Sequence, residues 1–530
     1  MLSRIPSVIY IILIFISCES GSQQANKPGD STAVTMLTDT SAEDLVKDSL
    51  LWEIQQLLAD SEMKYASVGI VICLDSAKNV LYSFNPDMTL VPASVTKLLT
   101  TATGMEKAGG RSNRTVLQYS GSISEGHILK GNIIIKGGGD PTLGSDNSRE
   151  YLNRFGNEIK KLGIDSVSGR VFADAGIFDD EMVSPGWLIG EAMSFYAGVT
   201  PGLMVNENLF TLSFNVKRKG LIPATPENMK PFVHGVKFHN LTKPFNGDEA
   251  EIYFQGLPYS NIVEIRGYVP EQMTNIKMAG ILPDPPLAAA TELARWLKNN
   301  GVSINDTAMT IRSILIENNF SLPDSLRSRK SLDSISSRLA GSLIGATNKY
   351  SNNLYAETTL KLIGLGYKGV ATRQAGISGI YAYLSGKNID TRGLYLFDGS
   401  GISRNNSMPA RLLVELLSYI KNKSAYYKEY RSTLSEAGED GTLARLCKNT
   451  NAQKRIFAKS GTLSRVVNYA GYAETMDGHT LIFAFMTNNF SCSIPGMKSK
   501  LERLMIRMVE WNPEVYDSTG VAISLNRRSN

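Results

Sequence analysis

The sequence predicts an α+β protein: an antiparallel sheet flanked by helices and interrupted by a large, mainly β insertion. Three observations carry this. Helix-like and strand-like patterns alternate from residue 41 to about 110, and short strands with turns dominate from about 112 to 280. Helical patterning then returns around Ser351, before a closing hairpin and a last helix. At 530 residues the chain exceeds one ordinary core, so two or three domains are expected.

The first residues, MLSRIPSVIYIILIFISCES, carry Arg4 and then an apolar run from Val8 to Ile16. That run is too short to span a bilayer and reads as the apolar region of an export signal. Ser17 and Cys18 close it; the small residue before Cys18 resembles a loose lipobox, which would make Cys18 the lipidated N-terminus. Phe15 and Ile16 depart from that pattern, and the alternative is an ordinary signal peptide cut nearby. Either processing places the mature protein outside the cytoplasm, with a membrane contact only through that anchor. Residues 1–18 are thus an export signal and 19–40 a polar linker.

Ser41-Ala42-Glu43-Asp44 opens a helix whose apolar side is Leu45, Leu50, Ile54 and Leu57. SVGIVICLD and NVLYSFN follow as strands joined at Ser76-Ala77-Lys78. Pro92-Ala93-Ser94 opens a second helix, VTKLLTTATGMEKAGG, stopped by Gly109 and Gly110. The segments GHILKGNIIIKGGGD, VSGRVFADAGIF, LFTLSFNVKR, EIYFQGL and NIVEIRGYV read as short strands, and an amphipathic helix runs from about Leu287 to Asn299. Helical patterning covers 337–365. Lys459 to Thr462 then lead into a hairpin of VVNYAGYAE and TLIFAFMTNN, turned at Asp477-Gly478. A charged helix from about Ile494 to Trp511 closes the body. The expected organisation is two catalytic halves, 41–138 and 337–515, around an insertion at 139–336 of one or two subdomains, with a tail at 516–530. No internal repeat is visible.

Composition narrows the chemistry. With 55 Lys and Arg against 50 Asp and Glu, and no basic run, nothing supports a nucleic-acid partner. His127, His234, His239 and His479 form no HExxH or other ligand pattern, so no metal or cofactor is expected. A histidine triad would also need one of these four, which makes histidine-free chemistry the more economical search. Besides Cys18, the cysteines are Cys73, Cys447 and Cys492; an odd number leaves at least one thiol unpaired, and Cys73 sits in an apolar run that predicts burial.

Three short patterns occur in order: Ser94-Val95-Thr96-Lys97, Ser351-Asn352-Asn353 and Lys459-Ser460-Gly461. Ser94 at a helix start points toward the positive end of the helix dipole, and Lys97 lies one turn later on the same face. A serine becomes a nucleophile only when a base takes its proton, and a lysine serves only when neutral. Burial and a second cation, Lys459, would lower the Lys97 pKa. Two further SxxK copies, Ser61–Lys64 and Ser418–Lys421, lack a following apolar helix in register and read as surface coincidences. Ser145-Asp146-Asn147 is a literal SDN that reads as a helix cap. Tyr350-Ser351-Asn352 also contains a YxN pattern, which leaves open a class C β-lactamase or esterase. Only one K-[ST]-G occurs.

These motifs, with GGGDPTL (Gly137 to Leu143), DGSGISR (Asp398 to Arg404) and GEDGTLARL (Gly438 to Leu446), resemble the class C low-molecular-mass penicillin-binding proteins, the D-alanyl-D-alanine carboxypeptidase/endopeptidase family. The resemblance covers about residues 50 to 512 and implies a β-lactamase/transpeptidase-like domain; the long gap between Ser94 and Ser351 argues against class A β-lactamases. It further implies that Ser94 is acylated by the penultimate D-alanine of a peptidoglycan stem peptide, with Lys97 as base. Ser351 would relay a proton near Lys459, and Asn353 would hold the substrate amide. Backbone N–H groups of Ser94 and Thr462 would form the oxyanion hole, and the Thr462 hydroxyl, beyond Ser460 and Gly461, would meet the terminal carboxylate. Asp174 would recognise the amino end of the stem-peptide side chain, and β-lactam antibiotics would be covalent inhibitors. The motifs depart from the family pattern as SNN and KSG, which keep the amide and hydroxyl groups the chemistry uses. The rival readings are a β-lactamase or esterase on the same fold and a non-catalytic wall-binding protein.

Overall fold

In a computed structural model of the protein, residues 49–108, 113–145, 149–214, 216–217, 220–221, 229–270, 276–304, 307–337, 340–512 and 523–525 are described. The export signal with Cys18, the linker, residues 41–48, Asp146 and Asn147, and all of the expected tail except Ile523–Leu525 lie outside them. Among the described residues no helix is long and apolar enough to cross a membrane.

The chain enters through α1 (Ser49–Ala59) and the hairpin β1 (Ser67–Leu74) and β2 (Val80–Phe84). A 3-10 turn at Ala93–Thr96 runs directly into α2 (Lys97–Ala108). Next come β3 (Arg114–Ile123), β4 (Ile128–Lys136), α3 (Glu150–Lys161), β5 (Val171–Asp174) and β6 (Leu209–Phe214). The insertion continues through β7 (Glu251–Gly256), β8 (Ile262–Pro270), β9 (Ile276–Ile281), α4 (Pro285–Asn299) and β10 (Arg329–Ser336). The second half holds α5 (Ala340–Tyr350), α6 (Asn353–Lys368), α7 (Arg373–Ser385) and α8 (Ala410–Lys423). It ends with β11 (Ser435–Glu436), β12 (Ile456–Leu463), β13 (Val466–Glu474), β14 (Thr480–Asn488), α9 (Ile494–Glu510) and β15 (Ile523–Leu525).

One seven-stranded sheet, in the order β11-β12-β13-β14-β1-β2-β15, joins the two ends of the chain. It is antiparallel except at its β2–β15 edge, and β1 pairs β14 from Ser67↔Asn488 to Leu74↔Leu481. β1 is buried along most of its length because both sheet faces are covered. Val71 and Cys73 join the cluster under α2, α6, α7 and α8, whereas Ile70 and Ile72 join the one under α1 and α9. Each such side chain contributes about 1.5–3 kcal/mol through burial, which is why the run SVGIVICL shows no polar alternation. This is the α+β arrangement of antiparallel sheet and flanking helices that the pattern predicts.

Two expectations need correction. The sequence pattern ends the first half at residue 138, but β3 and β4 pair with each other and with β10 and β5 of the insertion. Leu117, Leu129, Ile133 and Ile135 join a single apolar cluster that runs through the insertion to Phe210, Phe254 and Val263. We therefore place the boundary after Ala108, because strands belong to the core their side chains fill. Ser145, the one described residue of the SDN segment, does not cap α3 either. Ser145 closes a turn by donating its N–H to Thr142 O (3.1 Å), and the cap position falls on Arg149, which makes no side-chain capping bond.

The insertion docks on the second half partly through Lys361 of α6. Its buried ammonium donates to Asp179 Oδ1 (2.7 Å), Glu181 O (2.8 Å) and Thr200 O (3.0 Å) of the insertion. Removing one member of a buried charged pair leaves its partners without compensation. Lys361→Met is therefore expected to destabilise the fold by roughly 3 kcal/mol, at the low end for a buried pair because Asp179 keeps some solvent. Urea denaturation checks this; an unchanged midpoint would mean that other contacts hold the insertion in place.

Candidate active site

Ser94 sits in the 3-10 turn that opens α2, and the sheet beneath holds this turn. Asn468 Nδ2 of β13 donates to Val91 O (2.9 Å) and Pro92 O (2.8 Å), and Asn488 Oδ1 of β14 accepts the Val91 N–H (2.7 Å). Ala93 has φ +49°, a left-handed conformation uncommon for a residue with a side chain, so the turn is set by its surroundings. Gly461 of β12 lies against the same turn. A Cβ there would fall 2.8 Å from Pro92 O and 3.0 Å from Ser94 N, so only glycine lets the strand pass this close. β11 pairs only with Phe457 and Ala458, which leaves the β12 edge from Lys459 to Leu463 without a strand partner among the described residues. That edge borders Ser94.

Lys97 is fully buried, while Ser94 is partly exposed. Lys97 Nζ lies 2.9 Å from Ser94 Oγ, 2.6 Å from Asn353 Oδ1 and 2.5 Å from Ser400 O. Burial pushes its pKa down to about 7, against the opposing pull of Asp398 and Glu357. The expected help from a second cation runs the other way: burial first, and then the charge of Lys97, hold Lys459 well below the usual lysine range.

Ser351 follows α5 with φ +58°, and Lys459 Nζ donates to its Oγ (2.9 Å) and to Ser460 O (2.7 Å). Asn353 begins α6. Its Nδ2 donates to Tyr196 O of the insertion (2.7 Å), which turns Oδ1 toward Lys97. Asn352 is instead the helix cap, accepting the Tyr355 N–H (3.0 Å), and the Tyr350 side chain is 69% exposed. Ser460 Oγ donates to Thr442 Oγ1 (2.8 Å), and Thr462 is exposed at the open edge. Asp440, beside Thr442, pairs with Lys349 at the end of α5, so the GEDGTLARL segment braces the Ser351 turn.

The structure therefore brings Ser94, Lys97 and Asn353 into one hydrogen-bonded set and Ser351 and Lys459 into another, with Lys459 and Gly461 carried on one strand. It does not link Asp174 to them. That carboxylate closes β5 and is taken by Arg329 Nη1 (2.5 Å) and the Gly176 N–H (3.0 Å). Cys73 and Cys447 are buried and Cys492 is half-buried, all as free thiols; burial pushes Cys73 up to about 12. Reading the sequence missed Glu357 and Asp398, the two buried carboxylates behind Lys97. A signal existed for each: Glu357 lies four residues after Asn353 on one helical face, and Asp398 opens the DGSG segment.

Comparison with known proteins adds family information. The profile described as the D-Ala-D-Ala carboxypeptidase 3 (S13) family matches residues 50–513. The sequence is 26% identical over 474 residues to the D-alanyl-D-alanine carboxypeptidase of Actinomadura sp. (strain R39), covering 87% of this chain and 84% of that one. It is 23% identical to the D-alanyl-D-alanine carboxypeptidase DacB of Haemophilus influenzae, covering 84% and 90%. The fold is similar to the crystal structure of penicillin binding protein 4 (dacB) from Haemophilus influenzae, with a TM-score of 0.69 at 19% identity over 87% of this chain and 98% of that one. That protein has also been solved in complex with a β-lactam.

Proposed function

Because the chain belongs to the D-Ala-D-Ala carboxypeptidase 3 (S13) family, we propose that it is a serine D,D-peptidase acting through an acyl-enzyme on Ser94. Its substrates are the D-Ala-D-Ala ends of peptidoglycan stem peptides and D-alanyl cross-links, met outside the cytoplasm after export. One observation carries this reading, the surroundings of Lys97 Nζ. A lysine ammonium donates three hydrogens, whereas the neutral amine has two and a lone pair. Asn353 Oδ1 and Ser400 O can only accept, so they take the two hydrogens of the neutral amine and leave its lone pair facing Ser94 Oγ. An amine so arranged is a base for that hydroxyl and no other.

In acylation, Lys97 removes the Ser94 proton as Oγ attacks the carbonyl carbon of the penultimate D-alanine, lying as an added strand along the open edge of β12. The N–H groups of Ser94 and Thr462 stabilise the oxyanion, each worth on the order of 10²–10³ in rate. As the C–N bond breaks, Ser351, hydrogen-bonded to Lys459, passes its proton to the leaving amine and takes in exchange the proton that Lys97 had removed, so that Lys97 is neutral and Ser351 a hydroxyl again when the amine leaves. Water then attacks the ester, releasing the acid and restoring the Ser94 hydroxyl. Asn353 keeps one free Nδ2 hydrogen with which to bind the substrate amide, and the Ser460 and Thr462 hydroxyls would meet the terminal carboxylate. Asp174 could hold the amino end of the stem-peptide side chain only by sharing its carboxylate with Arg329. A β-lactam presents its amide to the same serine and stays attached as a slowly hydrolysed ester. An N-terminal lipid on Cys18 would tether the enzyme to a membrane.

Digestion of purified muropeptides tests the proposal. Free D-alanine from pentapeptides marks carboxypeptidase action, and monomers released from cross-linked dimers mark endopeptidase action. Rapid nitrocefin turnover would favour the β-lactamase reading, and absence of both products and any penicillin adduct would leave a wall-binding protein. The YxN alternative has its own check. Tyr350→Phe is expected to react with benzylpenicillin within about twofold of wild type, while Ser351→Ala slows acylation roughly 100-fold. The reverse order, followed by stopped-flow fluorescence, would transfer the relay role to the tyrosine.

A further inference from the structure

The Ser400 carbonyl that takes a Lys97 hydrogen belongs to the loop Asp398–Gly401, and two buried carboxylates hold this loop. Glu357, one turn beyond Asn353 on α6, accepts the Ser400 N–H on Oε1 (2.7 Å) and the Gly399 N–H on both Oε1 (3.0 Å) and Oε2 (3.2 Å). Asp398 accepts the N–H groups of Gly401 (2.8 Å) and Ser403 (2.7 Å), together with Asn406 Nδ2 (2.7 Å) and Trp187 Nε1 of the insertion (2.8 Å). The far end of the loop is wedged under the nucleophile. Gly401 has φ +83°, and a Cβ there would lie 1.9 Å from Ala93 O. Thr100 Oγ1 of α2 donates to Gly399 O (2.7 Å), closing the remaining side.

Burying two carboxylates side by side is costly. Burial first, and then the charge of Asp398, push the Glu357 carboxyl up to about 7. Neutral amide side chains could satisfy part of the same loop at a smaller penalty. What a carboxylate adds is acceptance without donation, so the Gly399 and Ser400 N–H groups must point at Glu357, which fixes the two peptide planes leading into Ser400. The next plane carries the Gly401 N–H, held by Asp398 Oδ1 (2.8 Å), and the Ser400 carbonyl, trans to that N–H, points the opposite way, toward Lys97. We infer that Glu357 is a positioning residue for the acylation of Ser94, fixing the Ser400 carbonyl as the second acceptor that turns the Lys97 lone pair onto Oγ. This rests on the serine-peptidase reading above. The charged groups acting around Glu357 are Asp398 of the loop, Lys97 of α2 and Lys361, four residues on along α6.

The test compares wild type, Glu357→Gln and Glu357→Asp for the rate of benzylpenicillin acylation against pH. Glu357→Gln presents an amide N–H₂ to one of the two loop N–H groups, so the carbonyl shifts and acylation slows roughly ten- to hundredfold. It also removes a negative charge that supports the Lys97 ammonium, so the limb on which the rate rises with pH moves to lower pH. Glu357→Asp keeps the charge and withdraws the oxygens by one methylene. Its acylation slows as well, while its limb stays at the wild-type pH. A purely structural role would lower stability and leave the rate per folded molecule and the rising limb unmoved. Should Glu357→Gln fail to fold, Glu357→Asp decides alone: a wild-type rate overturns the inference. If wild type itself forms no acyl-enzyme, the serine-peptidase reading fails first. If wild type reacts and both variants match it, only the role of Glu357 is lost.

Discussion

Ser94→Ala eliminates the covalent penicillin adduct and lowers D-alanine release by at least about 10⁴-fold, whereas Ser61→Ala and Ser418→Ala change neither. The size follows from the division of labour in a serine hydrolase. Without the nucleophile, only the oxyanion donors and substrate binding remain, and these leave a residual on the order of 10³–10⁴ over water out of a far larger total. The specificity follows from the surroundings of the three serines. Ser94 alone has its lysine at hydrogen-bond distance and buried. Ser61 and Lys64 lie exposed around a single 3-10 turn. Ser418 accepts the Ala77 N–H (2.9 Å), while Lys421 is engaged by Asp75 (3.0 Å). Intact-protein mass spectrometry after penicillin treatment reads the result. An adduct persisting on Ser94→Ala would move the nucleophile elsewhere and dismantle the site described here.

Lys97→Arg is expected to lose acylation by roughly 10²–10⁴-fold, the usual weight of a general base. Arginine keeps its proton at every working pH and cannot accept the one on Ser94. In the wild type, burial brings Lys97 down to about 7, so the fraction of neutral amine, and with it the acylation rate, rises with pH through about 7 and levels off above it. Below that point the rate falls about tenfold per pH unit, because only the deprotonated amine offers a lone pair. Stopped-flow acylation across pH 5 to 9 measures both effects. A flat profile in the wild type, or a reactive Lys97→Arg enzyme, would mean that another group takes the proton.

Some of this site was legible in the residues because its parts are local. Ser94 and Lys97 share a helical turn, and β1, β13 and β14 show as contiguous apolar runs bounded by turn residues. Motif order and the long gap after Ser94 also located the family before any fold was known. The sequence did not separate Ser351-Asn352-Asn353 from its YxN reading. The difference lies in the exposure of Tyr350 and in the use of Asn352 as a cap, both of which depend on how the turn between α5 and α6 folds.

By itself, then, the chain determined the serine and the lysine one turn away that the proposed mechanism uses, the strand that borders them and the class of fold. Tertiary structure alone decided which groups surround the Lys97 amine. These are Asn353 Oδ1 and Ser400 O, with Tyr196 orienting the Asn353 amide and Glu357 and Trp187 holding the loop. These residues come from three distant stretches of chain, and hydrogen-bond geometry between such stretches leaves no periodic trace in the sequence. The boundary after Ala108 has the same origin: β3 and β4 look like any short strands until their apolar faces choose a core.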